Sequence, residues 1–143
     1  MVRLIILALG VLLGTGLLRT GLVAQQTAES SSMTHVFEQR TYTTHPGRLD
    51  ALVMRFRDHT TRLFEKHGMI NIGYWIPSDP PLSENTLIYI LAYPSREARE
   101  ESWAAFRADP DWVAAAAASQ VDGQIVMGVE SVFMDPTDFS AIR

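Results

Sequence analysis

The stretch TLIYILAY, residues 86–93, decides the fold, because every position after Thr86 is apolar or aromatic. In an extended strand successive side chains point to opposite faces of the sheet, so this strand is apolar on both faces. Such a strand belongs in the middle of a sheet rather than at its edge. Pro94 and Ser95 follow it directly and indicate the start of a helix, with Ser95 as the N-cap.

Strand and helix patterns lie in a regular order on both sides of this central strand. The predicted elements are a strand at 37–42, a helix from Leu49 to Gly68, a strand at 69–76, a loop at 78–85, the central strand, a helix from Ser95 that restarts at Asp109-Pro110, and a strand at 124–134. This β-α-β-β-α-β order predicts an α+β, ferredoxin-like domain over residues 34–143. Its four-stranded antiparallel sheet carries both helices on one face.

The other face of such a sheet is bare, and this has a consequence for assembly. The strands at 69–76 and 86–93 are apolar on both sides, so a monomer would expose a larger apolar patch than soluble monomers tolerate. We therefore expect a homodimer in which two bare faces pack together. The product is a dimeric α/β barrel with a lumen between the two sheets.

The N-terminal residues 1–24 have the pattern of a secretory signal peptide. Arg3 precedes an apolar run from Leu4 to Leu18, and a small residue, Ala24, stands at a plausible cleavage point. The run is shorter than the ~20 residues of a membrane-spanning helix, so no stable span is expected after cleavage, although an uncleaved anchor is the alternative. Residues 25–33 read as a flexible linker. We expect export to the periplasm or the medium, or a cytoplasmic protein if translation starts at Met33.

Charge and cysteine content exclude several classes of function. The net charge is −4, and removal of residues 1–24 takes away two arginines and no acid, which leaves −6. An acidic domain without a basic run is unsuited to nucleic acid or to anionic membrane surfaces, so neither partner is expected. The chain has no cysteine, which excludes disulfides, thiolate metal sites and a lipid-anchored N-terminus.

Four stretches together carry a family resemblance. They are FEQRTYTTHPGRLD at 37–50, LFEKHGMINIGYW at 63–75, AYPSREAREESWAAFRADPDWVAA at 92–115 and PTDFS at 136–140. With these stretches the chain resembles the NIPSNAP family of the dimeric α/β-barrel superfamily. One departure is Gln39, where the family usually has an apolar residue. The resemblance implies a ferredoxin-like fold and a dimer but no defined activity. The wider superfamily includes cofactor-independent and haem-degrading monooxygenases and ligand-binding regulators.

The first strand contains a polar row. Alternation places Glu38, Arg40 and Tyr42 on one face. In one interpretation the row lines the barrel lumen, where Arg40 holds an anionic ligand and Tyr42 donates a hydrogen bond. In the other, Glu38 and Arg40 neutralise each other within the protein or across the dimer interface, since an unpaired buried arginine is costly.

Three further residues are candidates for the same lumen. His67 lies in line with the apolar stripe of the first helix and either serves a pocket as base or ligand, or caps the helix end. Tyr74 and Trp75 point to opposite faces of their strand, so one of them is available to stack on a planar ligand, the alternative being interface packing. His59 and His67 are not at the i, i+4 spacing of a helical metal pair, so no metal site is expected. No cofactor is expected either.

These observations leave three hypotheses of function. The first is a NIPSNAP-type dimer that binds a small, partly apolar ligand in its lumen. The second is a cofactor-independent monooxygenase-like or haem-handling enzyme that uses His67, Arg40 and Tyr42. The third is an interaction module whose lumen is filled. The sequence has no phosphate loop, nucleophile elbow or paired-carboxylate motif, so it indicates no class of enzyme.

Overall fold

A computed structural model describes residues 35–143 of the chain. The signal peptide predicted at 1–24 and the linker predicted at 25–33 lie outside the described residues. Within residues 35–143 the four strands are β1 (Val36–Thr44), β2 (Ile70–Trp75), β3 (Thr86–Tyr93) and β4 (Val126–Met134). They form one antiparallel sheet in the order β2-β3-β1-β4, which confirms the ferredoxin-like fold and the central position of β3.

The first helical segment begins after the positive-φ turn at Gly47 and ends at Gly68, which also has a positive φ. It consists of α1 (Leu49–Arg55), a π-helical turn (Phe56–Thr60) and α2 (Thr61–Lys66). Apolar periodicity predicted the length of this helix but not the π turn. A π turn adds one residue to a single turn and leaves the rest of the apolar stripe readable.

The second helical segment is divided as predicted, into α3 (Arg96–Ala108) and α4 (Pro110–Ala118). The Ser95 hydroxyl accepts a hydrogen bond from the Ala98 amide at 3.1 Å, which caps α3. Asp109 caps α4 by accepting from the Asp111 amide at 2.8 Å. Pro110 is the first helical residue, where its missing N–H leaves no broken bond.

The hydrophobic core lies between the helices and one face of the sheet. Its centre is aromatic. The ring centroids of Phe56, Phe64 and Tyr89 lie within about 6 Å of one another, and Trp103 and Phe106 extend the cluster along α3. No helix of the described residues covers the other face of the sheet. No helix within residues 35–143 has the length and apolar character needed to cross a membrane.

Candidate ligand cavity between sheet and helices

The Glu38–Arg40–Tyr42 row lies on the helix-covered face of the sheet. Glu38 contacts Arg99 of α3, and Arg40 lies over the Trp103 ring of the same helix, with its Cζ atom 4.4 Å from the ring centroid. The prediction that the row points into a lumen on the bare face is therefore wrong. The strand pattern correctly predicted that the three side chains share a face. It could not predict that the helices pack on this face rather than on the face of Phe37 and Gln39.

Glu38 is fully buried and accepts hydrogen bonds from four side chains. Arg99 donates from Nε to Oε2 at 3.0 Å and from Nη2 to Oε1 at 2.7 Å, and Arg40 Nη1 lies 2.6 Å from Oε1. Tyr93 and Ser131 donate the remaining two bonds. Burial alone would raise the pKa of Glu38, but the bond from Arg99 and those from Ser131 and Arg40 outweigh it and lower the pKa to about 2. Glu38 is thus an ionised carboxylate with no free acceptor position.

Arg40 is paired inside the chain, as the second interpretation of the row predicted. Its Nε donates to the Tyr89 hydroxyl at 3.1 Å, and its Nη1 binds Glu38. Burial works against the charge, but the nearby Tyr89, Tyr42 and Glu38 outweigh this effect and raise the pKa of Arg40. No described residue forms a hydrogen bond with its other terminal nitrogen, Nη2. Arg40 therefore keeps a donor while its position is fixed.

A cavity of about 300 Å³ adjoins the pair of Glu38 and Arg40, between β1 and the helices, and is called the Arg40 cavity below. Its wall is aromatic with arginines at several points, and the lining residues are Arg40, Tyr42, Phe56, Thr60, Phe64, Arg99, Trp103, Phe106, Arg107 and Trp112. The volume is at the lower end of the range for small-molecule sites. Apolar walls with a few placed polar groups are typical of such sites.

The π turn contributes two residues, Phe56 and Thr60, to the cavity wall. The Thr60 hydroxyl donates to the Arg55 carbonyl oxygen, five residues earlier, at 3.1 Å. That bond stabilises the wider turn, because the carbonyl has a partner although the α-helical pattern is interrupted. π turns are frequent at functional sites, so its place in this wall is consistent with a binding role.

Arg55 adds a buried guanidinium near the cavity. It is 6% exposed, and its Cζ lies 5.3 Å from the ring centroid of Trp112. Its Nη1 donates to the Ser119 hydroxyl at 3.3 Å, whereas its Nε is buried without a hydrogen-bond partner among the described residues. Desolvation by burial lowers the pKa of Arg55, with no described carboxylate in contact to oppose it.

His67 lies apart from the Arg40 cavity. It is the C-cap residue of α2, and its Nε2 lies 2.6 Å from Oδ2 of Asp109, which also binds Lys66. Hydrogen bonds from Lys66 and His67 lower the pKa of Asp109. His67 instead lines a shallow surface pocket with residues of α3. The structure thus does not bring together the His67, Arg40 and Tyr42 set that the enzyme hypothesis requires.

Tyr74 and Trp75 lie on opposite faces of β2. Tyr74 packs against Phe56 and Tyr89 on the helix side, where its hydroxyl donates to Asn71. Trp75 is half exposed on the bare face, and its ring lies so close to Gly73 that a Cβ there would come within 2.5 Å of it. Neither residue lines the Arg40 cavity.

Sequence reasoning missed the residues contributed by α3 and α4. The site candidates predicted from the sequence include neither Arg99 nor Trp103 and Trp112. The signal for Arg99 was present, since it precedes Trp103 by four residues and Phe106 by seven, and so shares the inward stripe of its helix. A charged residue on an inward stripe indicates a buried partner, which here is Glu38.

A family model described as NIPSNAP matches residues 37–141. The chain belongs to the NIPSNAP family. A NIPSNAP family protein of unknown function from Agrobacterium tumefaciens is 25% identical, with a TM-score of 0.67 over 78% of this chain and 96% of that one. An uncharacterised NIPSNAP-like domain protein from Burkholderia xenovorans is 19% identical, with a TM-score of 0.65 over 76% and 90% of the two chains.

The fold of this NIPSNAP domain extends beyond the family. A monooxygenase from the gene ActVA-Orf6 of Streptomyces coelicolor, in complex with the ligand Nanaomycin D, has a TM-score of 0.52 at 18% identity, over 73% of this chain and 89% of that one. At this identity the likeness shows a common fold and nothing about activity. A comparison with curated proteins gives no match.

Proposed function

We propose that this NIPSNAP domain binds a small, partly apolar molecule in the cavity between β1 and the helices. The observation that carries the proposal is the cavity itself, which has a volume of about 300 Å³. Aromatic rings form most of its wall, and the guanidinium of Arg40 is held in that wall. A filled core would place side chains there, because protein interiors are close-packed. The binding site is thus assigned to the helix side of the sheet rather than to a lumen between two sheets.

The same proposal includes a homodimer formed through the bare face. Apolar side chains on this face are substantially exposed, with Trp75 at 50% and Val132 at 56%. Ile88 and Ile90 of β3 lie on the same face, half buried, and Gln39 and Thr41 of β1 separate them from Val132 of β4. Burying this surface against a second copy removes it from water without touching the cavity, which lies on the other side of the sheet.

Native mass spectrometry of the purified protein tests the binding function. The expected result is a co-purified small molecule, released on denaturation, in wild type and in Trp75→Ala. The Trp112→Ala variant, which loses part of the cavity wall, is expected to lose that molecule. Equal retention by Trp112→Ala and wild type, with loss in Trp75→Ala, would place the ligand on the bare face and contradict the proposal.

A further inference from the structure

The charges around the Arg40 cavity do not balance. Two largely buried arginines that line it, Arg40 and Arg99, share a single buried carboxylate, Glu38, and a third arginine, Arg107, lies exposed at the rim. Glu100 also binds Arg99, at 2.9 Å, but its side chain is 69% exposed and therefore screened by water. Within residues 35–143, the buried surroundings of the cavity thus carry excess positive charge.

The lone carboxylate has no capacity to neutralise more than it already does. Both oxygens of Glu38 are occupied, Oε1 by Arg40, Arg99 and Ser131, and Oε2 by Arg99 and Tyr93. Buried guanidinium groups without a counter-ion are unfavourable, and an anion that enters the site relieves that cost.

Arg55 increases the imbalance from behind the cavity wall. It is buried against Trp112, which lines the cavity, and it has no ion pair with any described carboxylate. In a site of low dielectric its charge acts over a longer distance than in water. Positive charge therefore contributes to the electrostatic potential in the cavity from two sides, from Arg40 on β1 and from Arg55 at the end of α1.

The wall specifies the rest of the ligand. Phe56, Phe64, Phe106 and the indole rings of Trp103 and Trp112 offer flat apolar surfaces, and Arg40 already lies over one of these rings. Aromatic walls stack on planar rings, and a guanidinium binds a carboxylate in its own plane. The space suits a ligand of one or two rings.

We propose that the ligand of this cavity is a small aromatic acid, with its rings against the aromatic wall and its carboxylate directed to Arg40 and Arg107. This inference rests on the proposed function and adds the chemical class of the ligand. Arg107 is exposed at the cavity rim and has no ion pair among the described residues, so it is available to bind an entering anion.

Two matched probes separate the class of ligand from the existence of the site. Isothermal titration calorimetry of the full-length protein with 2-naphthoate and with 2-naphthamide compares the same ring system with and without a charge. We expect 2-naphthoate to bind at least about tenfold more tightly, because its bonds to guanidinium are charge-assisted. Equal or tighter binding of the amide would overturn the inference but leave the proposed function standing. If neither probe binds at about 1 mM, both proposals fail.

Substitutions at the rim provide an independent check. Arg107→Gln is expected to lower the preference for 2-naphthoate over 2-naphthamide by about threefold, as an exposed charge contributes modestly, while Arg107→Lys retains most of it. Arg62→Gln, an exposed arginine of α2 away from the cavity, removes the same charge and serves as control. A loss of preference in Arg62→Gln equal to that in Arg107→Gln would indicate a non-specific charge effect and contradict the role of Arg107.

Discussion

Arg99 of α3 binds Glu38 of β1 through two parallel hydrogen bonds, Nε to Oε2 at 3.0 Å and Nη2 to Oε1 at 2.7 Å. The bond pair links the helix layer to the sheet beside the candidate cavity. A bidentate contact between guanidinium and carboxylate fixes orientation as well as distance. Glu38 thereby positions both Arg99 and Arg40, and four predictions concern this arrangement, the bare sheet face and the cavity.

Removal of the Glu38 charge should destabilise the fold strongly. In Glu38→Gln two buried guanidinium groups lose their shared counter-ion, and breaking a buried pair costs about 3 kcal/mol or more. Urea unfolding at neutral pH is expected to show this loss in the free energy of unfolding.

Glu100→Gln is the matched control, because Glu100 binds the same arginine from an exposed position. Its effect is expected to stay within about 0.5 kcal/mol. Equal losses in the two variants would show that burial of Glu38 adds nothing to the pair.

The Glu38 charge also predicts how stability depends on pH. The pKa of Glu38 is about 2 in the folded protein, whereas the ordinary value for a glutamate, which applies to the unfolded chain, is 4.5. A lowered pKa stabilises the fold fully above pH 4.5, and this contribution falls as the pH decreases from 4.5 towards 2. The slope from this residue alone is at most about 1.4 kcal/mol per pH unit.

Urea unfolding of wild type and Glu38→Gln, measured from pH 7 down to pH 3, determines this contribution. The difference between their free energies of unfolding should be constant above about pH 5 and shrink below pH 4.5. A difference that remains unchanged down to pH 3 would mean that Glu38 does not carry the predicted charge.

The bare face should determine the oligomeric state. Val132 of β4 lies on this face, since it pairs with Gln39 rather than with Glu38. A charge placed in an apolar interface is strongly unfavourable, so Val132→Glu should convert a dimer into a monomer. Sedimentation velocity at micromolar concentration measures the change.

Val113→Glu is a close control, because Val113 of α4 is 56% exposed, the same fraction as Val132, but lies in the helix layer. This variant should sediment like wild type. A monomeric wild type, or dissociation caused by Val113→Glu alone, would contradict a dimer through the bare face.

Much of the fold follows from local signals. The bounds of β3 agree with the predicted 86–93 because an apolar run between a polar loop and Pro94-Ser95 has no other stable place than the sheet centre. Ser95 was predicted as an N-cap and Asp109 as the restart of the helix because each directly precedes a helical pattern, and both residues cap their helices. The π turn leaves no comparable mark, since it displaces the stripe by a single residue.

Less of the candidate site could be predicted from the sequence, because the site depends on tertiary contacts. Alternation places Glu38 and Arg40 together but does not say which face receives the helices. Neither face of β1 is uniformly apolar, so the usual signal is missing. His67 illustrates the same limit: its partner, Asp109, is 42 residues away, and no local pattern connects them.

The three tryptophans of the chain permit one direct test of where the ligand binds. Trp103 and Trp112 line the cavity, whereas Trp75 lies on the bare face. In protein labelled with 5-fluorotryptophan and assigned with single Trp→Phe variants, ¹⁹F NMR during titration with 2-naphthoate should shift the resonances of Trp103 and Trp112 and leave that of Trp75 in place. Shifts confined to Trp75, or no shift at any of the three, would contradict a binding site between the sheet and the helices.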